Sequence, residues 1–209
     1  MITTLIIIGA YLLGSIPTAV WIGKAFYNTD IREHGSKNAG ATNTLRVLGL
    51  KAALPVFIID ILKGFAAVKL ALLAPYAPGS DQILNLQILL VVIAILGHIF
   101  PIFASFKGGK GVATLAGSVM AIFPIEVGIC LFIFFLMIAI TKYVSVSSII
   151  AGSSFPVMTI FILKETHLPL IIFSCIIPVM LIITHRKNIK RLIKGEESKT
   201  YLFKRKRKC

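Results

Sequence analysis

The sequence predicts an all-α integral membrane protein: a bundle of seven transmembrane helices, one of them short, with the N-terminus outside and the C-terminus cytoplasmic. Three observations carry this expectation. Of 209 residues, 57% are hydrophobic and only 14% charged, with a mean hydropathy of +0.92, which excludes one modest soluble domain. Long apolar windows recur at the length a bilayer demands. Lysine and arginine gather in alternate connections, as the positive-inside bias requires. The formal charge of +14 does not indicate nucleic acid, because residues 186–209 hold 11 of the 22 basic residues and two of the eight acids. The basicity is mostly a tail.

The first apolar run starts after Met1-Ile2-Thr3-Thr4 with no positive segment before it, so residues 3–22 are read as a span rather than a cleaved signal. Windows near 52–74, 83–104, 145–163 and 168–184 supply four more. Residues 111–141 are too long for one crossing: a straight helix would run about 46 Å, against a hydrocarbon core of roughly 30 Å. Pro124 and Glu126 interrupt the stretch, which divides into a short helix at 111–122 and a second at 125–141. With the N-terminus outside, 19 of the 22 cations face the cytoplasm and the outer connections carry only Lys164. Lys63 and Lys69 fall inside the second span. Fusing 111–141 into one crossing would put either the tail or the first loop outside, against the charge bias.

Residues 1–197 then form one transmembrane domain with three cytoplasmic polar segments, 28–51, 105–114 and 185–197, followed by a polybasic tail at 198–209. The tail's Lys204-Arg205-Lys206-Arg207-Lys208 suits water or an anionic leaflet. Cys130 and Cys175 lie in apolar runs and Cys209 is the last residue, giving neither a disulfide framework nor a prenylation box.

The first polar segment contains His34-Gly35-Ser36-Lys37-Asn38-Ala39-Gly40-Ala41-Thr42-Asn43-Thr44-Leu45-Arg46. Gly35 and Gly40 let backbone N–H groups converge. Thr42, Asn43 or Thr44 can cap the helix that follows, aiming its N-terminus at an anion, with Arg46 as a bidentate fork. An ordinary capped loop remains an alternative. The second segment, Lys107-Gly108-Gly109-Lys110-Gly111-Val112-Ala113-Thr114, also suits phosphate. It is not a Walker A loop, since Gly111 follows Lys110 and Ala104 occupies the leading glycine's place. A positive turn at the membrane surface would read the same way. After the last span, His185, Asn188 and Arg191 recur every three residues and share a helix face. A basic amphipathic helix on the membrane explains the cations there equally well.

Asp60 and Lys63, three apart within the second span, read as a structural ion pair, and His98 as a satisfied polar group. The sequence lacks H-E-x-x-H, paired-Cys, G-x-G-x-x-G and G-x-S-x-G motifs, so no metal and no cofactor is expected. The His-x-x-x-x-Asp pattern of many glycerolipid acyltransferases is absent too: Ala39, Phe103, Ile172 and Lys190 occupy the acid's place after the four histidines.

Taken together, Gly14-Ser15-Ile16-Pro17, Gly35-Ser36-Lys37-Asn38 with Gly40-Ala41-Thr42-Asn43, Asp60-Ile61-Leu62-Lys63-Gly64, Gly97-His98, the segment Lys107 to Thr114 and the segment His185 to Leu192 resemble the PlsY family across nearly the whole chain. These are bacterial integral-membrane acyl-phosphate:glycerol-3-phosphate acyltransferases. Lys37 departs from the small residue often found there. The resemblance implies transfer of a fatty acyl group from a long-chain acyl phosphate to the 1-hydroxyl of glycerol 3-phosphate, giving lysophosphatidic acid and phosphate at the cytoplasmic face of the bacterial cell membrane. It also implies a seven-helix fold with an outside N-terminus. Ser36, Arg46, Lys110, His185 and Asn188 are then expected to be catalytic. Gly35, Asn38, Gly40, Thr42, Asn43, Lys107, Gly108, Gly109 and Arg191 are expected to bind substrate phosphates or shape the site. A transporter or flippase for an anionic lipid or metabolite is the competing reading. No internal repeat supports it, and the polar motifs gather on one face.

Overall fold

A computed structural model describes residues 1–200, so Lys204 to Lys208 and Cys209 lie outside the described residues. The described chain is helical, and three of its helices are long and apolar enough to cross a membrane, or five if each of two bent pairs counts as one crossing. It divides into two compact units, Met1–Ile125 and Glu126–Cys209.

The first unit opens with α1 (Ile2–Gly14) and α2 (Thr18–Tyr27), which meet at 43°. Residues 3–22, read from the sequence as one span, are thus bent within it. Pro17 breaks it, because proline has no N–H to donate and drives Ile16 out of the helical region. α3 (Ala41–Leu48) and α4 (Leu50–Lys69) follow the first polar segment. α4 has the length of a span but carries Lys51, Asp60, Lys63 and Lys69, and it is not among the five candidate crossings. Next come α5 (Asp81–Ile99), capped by the Ser80 hydroxyl, and the nine-residue α6 (Val112–Met120). α4 and α6 approach until backbones touch. A Cβ on Gly117 would collide with the Ile61 carbonyl, and one on Gly64 with the Thr114 carbonyl. Close approach through small residues substitutes for a hydrophobic driving force that lipid does not supply. It also fixes where α6 begins, and with it Lys110.

The first polar segment rests on a small core of its own, formed by Ala19, Val20, Ile31, Ala39 and Val56. Ile31 is fully buried, which contributes about 2–3 kcal/mol toward holding the segment down.

The second unit contains α7 (Pro124–Thr141) from Glu126 onward, α8 (Val144–Val157), α9 (Leu168–Thr184) and α10 (Arg186–Ile193). A helix thus ends at Met120 and another starts at Pro124, where proline suits the first helical position. α8 continues into a π-helical turn at Met158–Ile162. α9 and α10 meet at 60°, with His185 at the bend.

Candidate active site

In the first unit, Asn43 organises the loop beneath Ser36. Its Nδ2 donates to the carbonyls of Ile31 at 2.9 Å and His34 at 3.0 Å, and its Oδ1 accepts the Ser36 N–H at 2.8 Å. Both donors are thereby spent inside the loop, so the carboxamide braces the chain on which Ser36 is presented. Nor do Thr42, Asn43 or Thr44 cap the helix. α3 begins earlier, at Ala41, with Gly40 as its N-cap and no side-chain cap bond, while the Thr44 hydroxyl turns back to the Gly40 carbonyl at 3.2 Å. Gly35 has φ +58°, the left-handed region where its missing Cβ matters, whereas Gly40 is extended at φ −155° and does not need that freedom. Lys37 also sits at φ +59°, a conformation that strains an ordinary L-residue. Asn43→Asp puts an oxyanion against two carbonyl oxygens. It is expected to cost about 2–3 kcal/mol of stability, read as a lowered thermal midpoint.

A second brace joins the two polar segments of this unit. Asp30 binds Arg32 through both carboxylate oxygens, at 2.9 and 2.7 Å, and Lys24 at 3.3 Å, while Arg32 Nη1 donates to the Ala104 carbonyl at 2.9 Å. The Arg32 hydrogen bonds hold the Asp30 carboxyl well below the usual carboxylate range. Because the folded value is depressed, this stabilisation is present above about pH 4 and is lost only as pH falls toward the folded value.

In the second of these segments, the Gly108 and Gly109 N–H groups donate to the carbonyls of Ile99 at 3.1 Å and His98 at 3.2 Å. Gly109 also lies against the Ala39 carbonyl of the first segment. Gly111, at φ +78°, caps α6, so Lys110 stands at the positive end of that helix. Lys110 and Arg46 are half-buried and Lys107 is exposed. The structure therefore brings the segments around Ser36 and Lys110 together within one unit.

In the second unit, His185 is 2% exposed and its Nδ1 lies 2.9 Å from the Leu181 carbonyl. A carbonyl only accepts, so Nδ1 carries the proton and Nε2 is the basic nitrogen of the neutral ring. Asn188 and Arg191 do share a face, and Glu197 gathers them: it accepts from Asn188 Nδ2 at 2.6 Å and Arg191 Nε at 2.7 Å, with the Ser145 hydroxyl at 3.5 Å. Arg191, expected to meet substrate phosphate, is thus ion-paired with a buried carboxylate. Glu197 was not among the expected site residues. The signal in the sequence is the Gly195-Glu196-Glu197 run after a basic helix: Gly195, at φ +71°, reverses the chain and returns an acid to that helix. Among the described residues, no group of three His, Cys, Asp or Glu side chains is placed to hold a metal ion.

The family profile described as glycerol-3-phosphate acyltransferase matches residues 4–195. The chain belongs to this family. A glycerol-3-phosphate acyltransferase of Fusobacterium nucleatum is 45% identical over 193 residues, covering 92% of this chain and 95% of the relative. One from Staphylococcus carnosus is 44% identical, covering 95% and 98%. The crystal structure of PlsY, an integral membrane glycerol 3-phosphate acyltransferase, in its glycerol 3-phosphate form superposes with a TM-score of 0.85 at 34% identity, covering 95% of this chain and 96% of that one. The lysophosphatidic acid form gives 0.80. The chain is accordingly a multi-pass integral membrane acyltransferase.

Proposed function

We propose that this acyltransferase uses a long-chain acyl phosphate as donor and glycerol 3-phosphate as acceptor, releasing lysophosphatidic acid and inorganic phosphate. The observation that carries the reading is the joined pair of cationic, glycine-turned segments around Ser36–Arg46 and Lys107–Lys110. Each substrate bears a phosphate, and cations with oriented N–H groups offset the repulsion between two such anions. A seven-helix arrangement with an outside N-terminus and these segments cytoplasmic is supported by the lysine and arginine distribution. On this reading the reaction takes place at the inner face of a bacterial plasma membrane, where the acyl chain stays among lipid-facing helices. Residues 1–197 act as the catalytic domain and 198–209 as a basic extension.

In the reaction, the 1-hydroxyl oxygen of glycerol 3-phosphate attacks the acyl carbonyl carbon. The new ester C–O bond forms as the acyl C–O bond to phosphate breaks, and the phosphate leaves with the electron pair. Acyl phosphate is already activated, so no covalent enzyme intermediate is required. Arg46 and Lys110 hold phosphate charge, and Ser36 or Asn188 donates to the developing oxyanion. The departing proton passes to a phosphate oxygen or to His185 Nε2. His185→Gln separates these routes. A kcat loss of about a hundredfold or more makes His185 the base, whereas near-normal turnover assigns the proton to the phosphate.

Donor exchange tests the reading as a whole. Turnover with acyl phosphate but not with acyl-CoA is expected, and the reverse preference would overturn it.

A further inference from the structure

One cluster of buried polar side chains in the first unit has no part in the chemistry above. Asp60 and Lys63 of α4, Thr18 at the start of α2, His98 in the last turn of α5 and Thr114 in α6 are all buried. Lys63 Nζ donates to Asp60 Oδ1 at 2.8 Å and to the Ile16 carbonyl at 2.7 Å, and the Thr18 hydroxyl donates to Asp60 Oδ1 at 3.0 Å. Those bonds already satisfy the ion pair. His98 Nδ1 stands farther off, 3.8 Å from Asp60 Oδ1, and hydrogen-bonds Thr114 Oγ1 at 2.9 Å.

The far edge of the imidazole accounts for its presence. His98 Nε2 faces Gly109 so closely that a Cβ there would collide with it, and a Cβ on Gly108 would collide with the His98 carbonyl. That carbonyl accepts the Gly109 N–H at 3.2 Å. Main chain 108–109 therefore lies flat on the last turn of α5, with the His98 ring as the floor beneath the residue before Lys110. Thr114 lies on α6, the helix that Gly111 opens. One side chain thus links the glycine loop to the helix that the loop starts.

We propose that His98, oriented by the Thr114 hydroxyl, is a positioning residue that sets the height of Gly109 and Lys110 and thereby the affinity for the phosphate-bearing substrate that this loop holds. The inference rests on the reading of the loop as a phosphate cradle. His98 itself touches no substrate. Without the hydroxyl the ring turns, Gly109 loses its floor, and the Lys110 amine moves relative to α6.

The test is steady-state kinetics of the full-length enzyme in detergent, varying glycerol 3-phosphate and a long-chain acyl phosphate in turn. Wild type is compared with Thr114→Val, Thr114→Ser, His98→Ala and Lys110→Ala. Thr114→Val, nearly isosteric, is expected to raise the KM of one substrate about fivefold, the effect of one lost hydrogen bond. The substrate affected is the one whose KM rises in Lys110→Ala, and kcat stays within about twofold. Thr114→Ser, which restores the hydroxyl, returns the KM to near the wild-type value. Adding Thr114→Val to His98→Ala changes the KM no further. The proposal is overturned if both KM values are unchanged in Thr114→Val, if the loss is confined to kcat, or if Thr114→Ser is as impaired as Thr114→Val. A shift in the other substrate's KM overturns it as well. Because the two Thr114 variants, read against Lys110→Ala, decide these outcomes, a failure of His98→Ala to fold does not shield the proposal. Unchanged kinetics in Lys110→Ala would instead remove the cradle reading beneath it.

Discussion

Lys110→Ala is expected to lower kcat/KM by at least about tenfold, a loss of roughly 1.4 kcal/mol of transition-state stabilisation, while the thermal midpoint stays near that of wild type. Three features of the site lead to this. The chain before Lys110 is strapped to α5 by the Gly108 and Gly109 N–H groups, and the chain after it is fixed by Gly111 as the cap of α6. The lysine is half-buried, so its charge is less screened than that of an exposed residue. It also shares the positive end of a helix, where phosphate charge is already favoured. Lys107 stands on the same segment but is exposed, and Lys107→Ala is expected to cost no more than about threefold. Equal losses at the two positions would mean that the segment acts through general positive charge rather than through a built cradle.

Lys63→Met is expected to destabilise the protein by about 3–5 kcal/mol, because removing one member of a buried pair leaves an uncompensated charge. Asp60 then keeps only the Thr18 hydroxyl and the more distant His98 as polar neighbours among the contacts described above. With about 2–4 °C per kcal/mol for a chain of this size, the thermal midpoint falls by roughly 10 °C. The double change Asp60→Asn with Lys63→Met removes both charges and is expected to recover most of that loss, as a double-mutant cycle would record. Additive losses would show that the two residues act independently despite their 2.8 Å contact.

The all-helical, membrane-spanning character was legible in the sequence because a span's length and apolarity are local properties. Pro124 marked the break between α6 and α7, and the spacing of Asp60 and Lys63 on one helix foretold their contact. Pro17 carried an equally local signal, yet the break there was missed because the apolar run continues through it. The cationic, glycine-rich makeup of the two segments was legible from composition. The internal wiring of those segments was not. Asn43 reads as a helix cap or a ligand, but the fold brings the Ile31 and His34 carbonyls and the Ser36 N–H to its carboxamide. Arg191 reads as a phosphate ligand, and its partner is an acid returned to it by the turn at Gly195. For Asn43 the partners are set by the path of the loop, which helix spacing does not give, whereas for Arg191 the signal was the Gly195-Glu196-Glu197 run just beyond the helix.

The central claim, that acyl phosphate donates and glycerol 3-phosphate accepts, is tested most directly by measuring inorganic phosphate released by the purified protein from a long-chain acyl phosphate, with and without glycerol 3-phosphate. The account predicts release that depends on glycerol 3-phosphate, with one lysophosphatidic acid formed for each phosphate. Phosphate release at the same rate without the acceptor, or no release from folded protein, would contradict it.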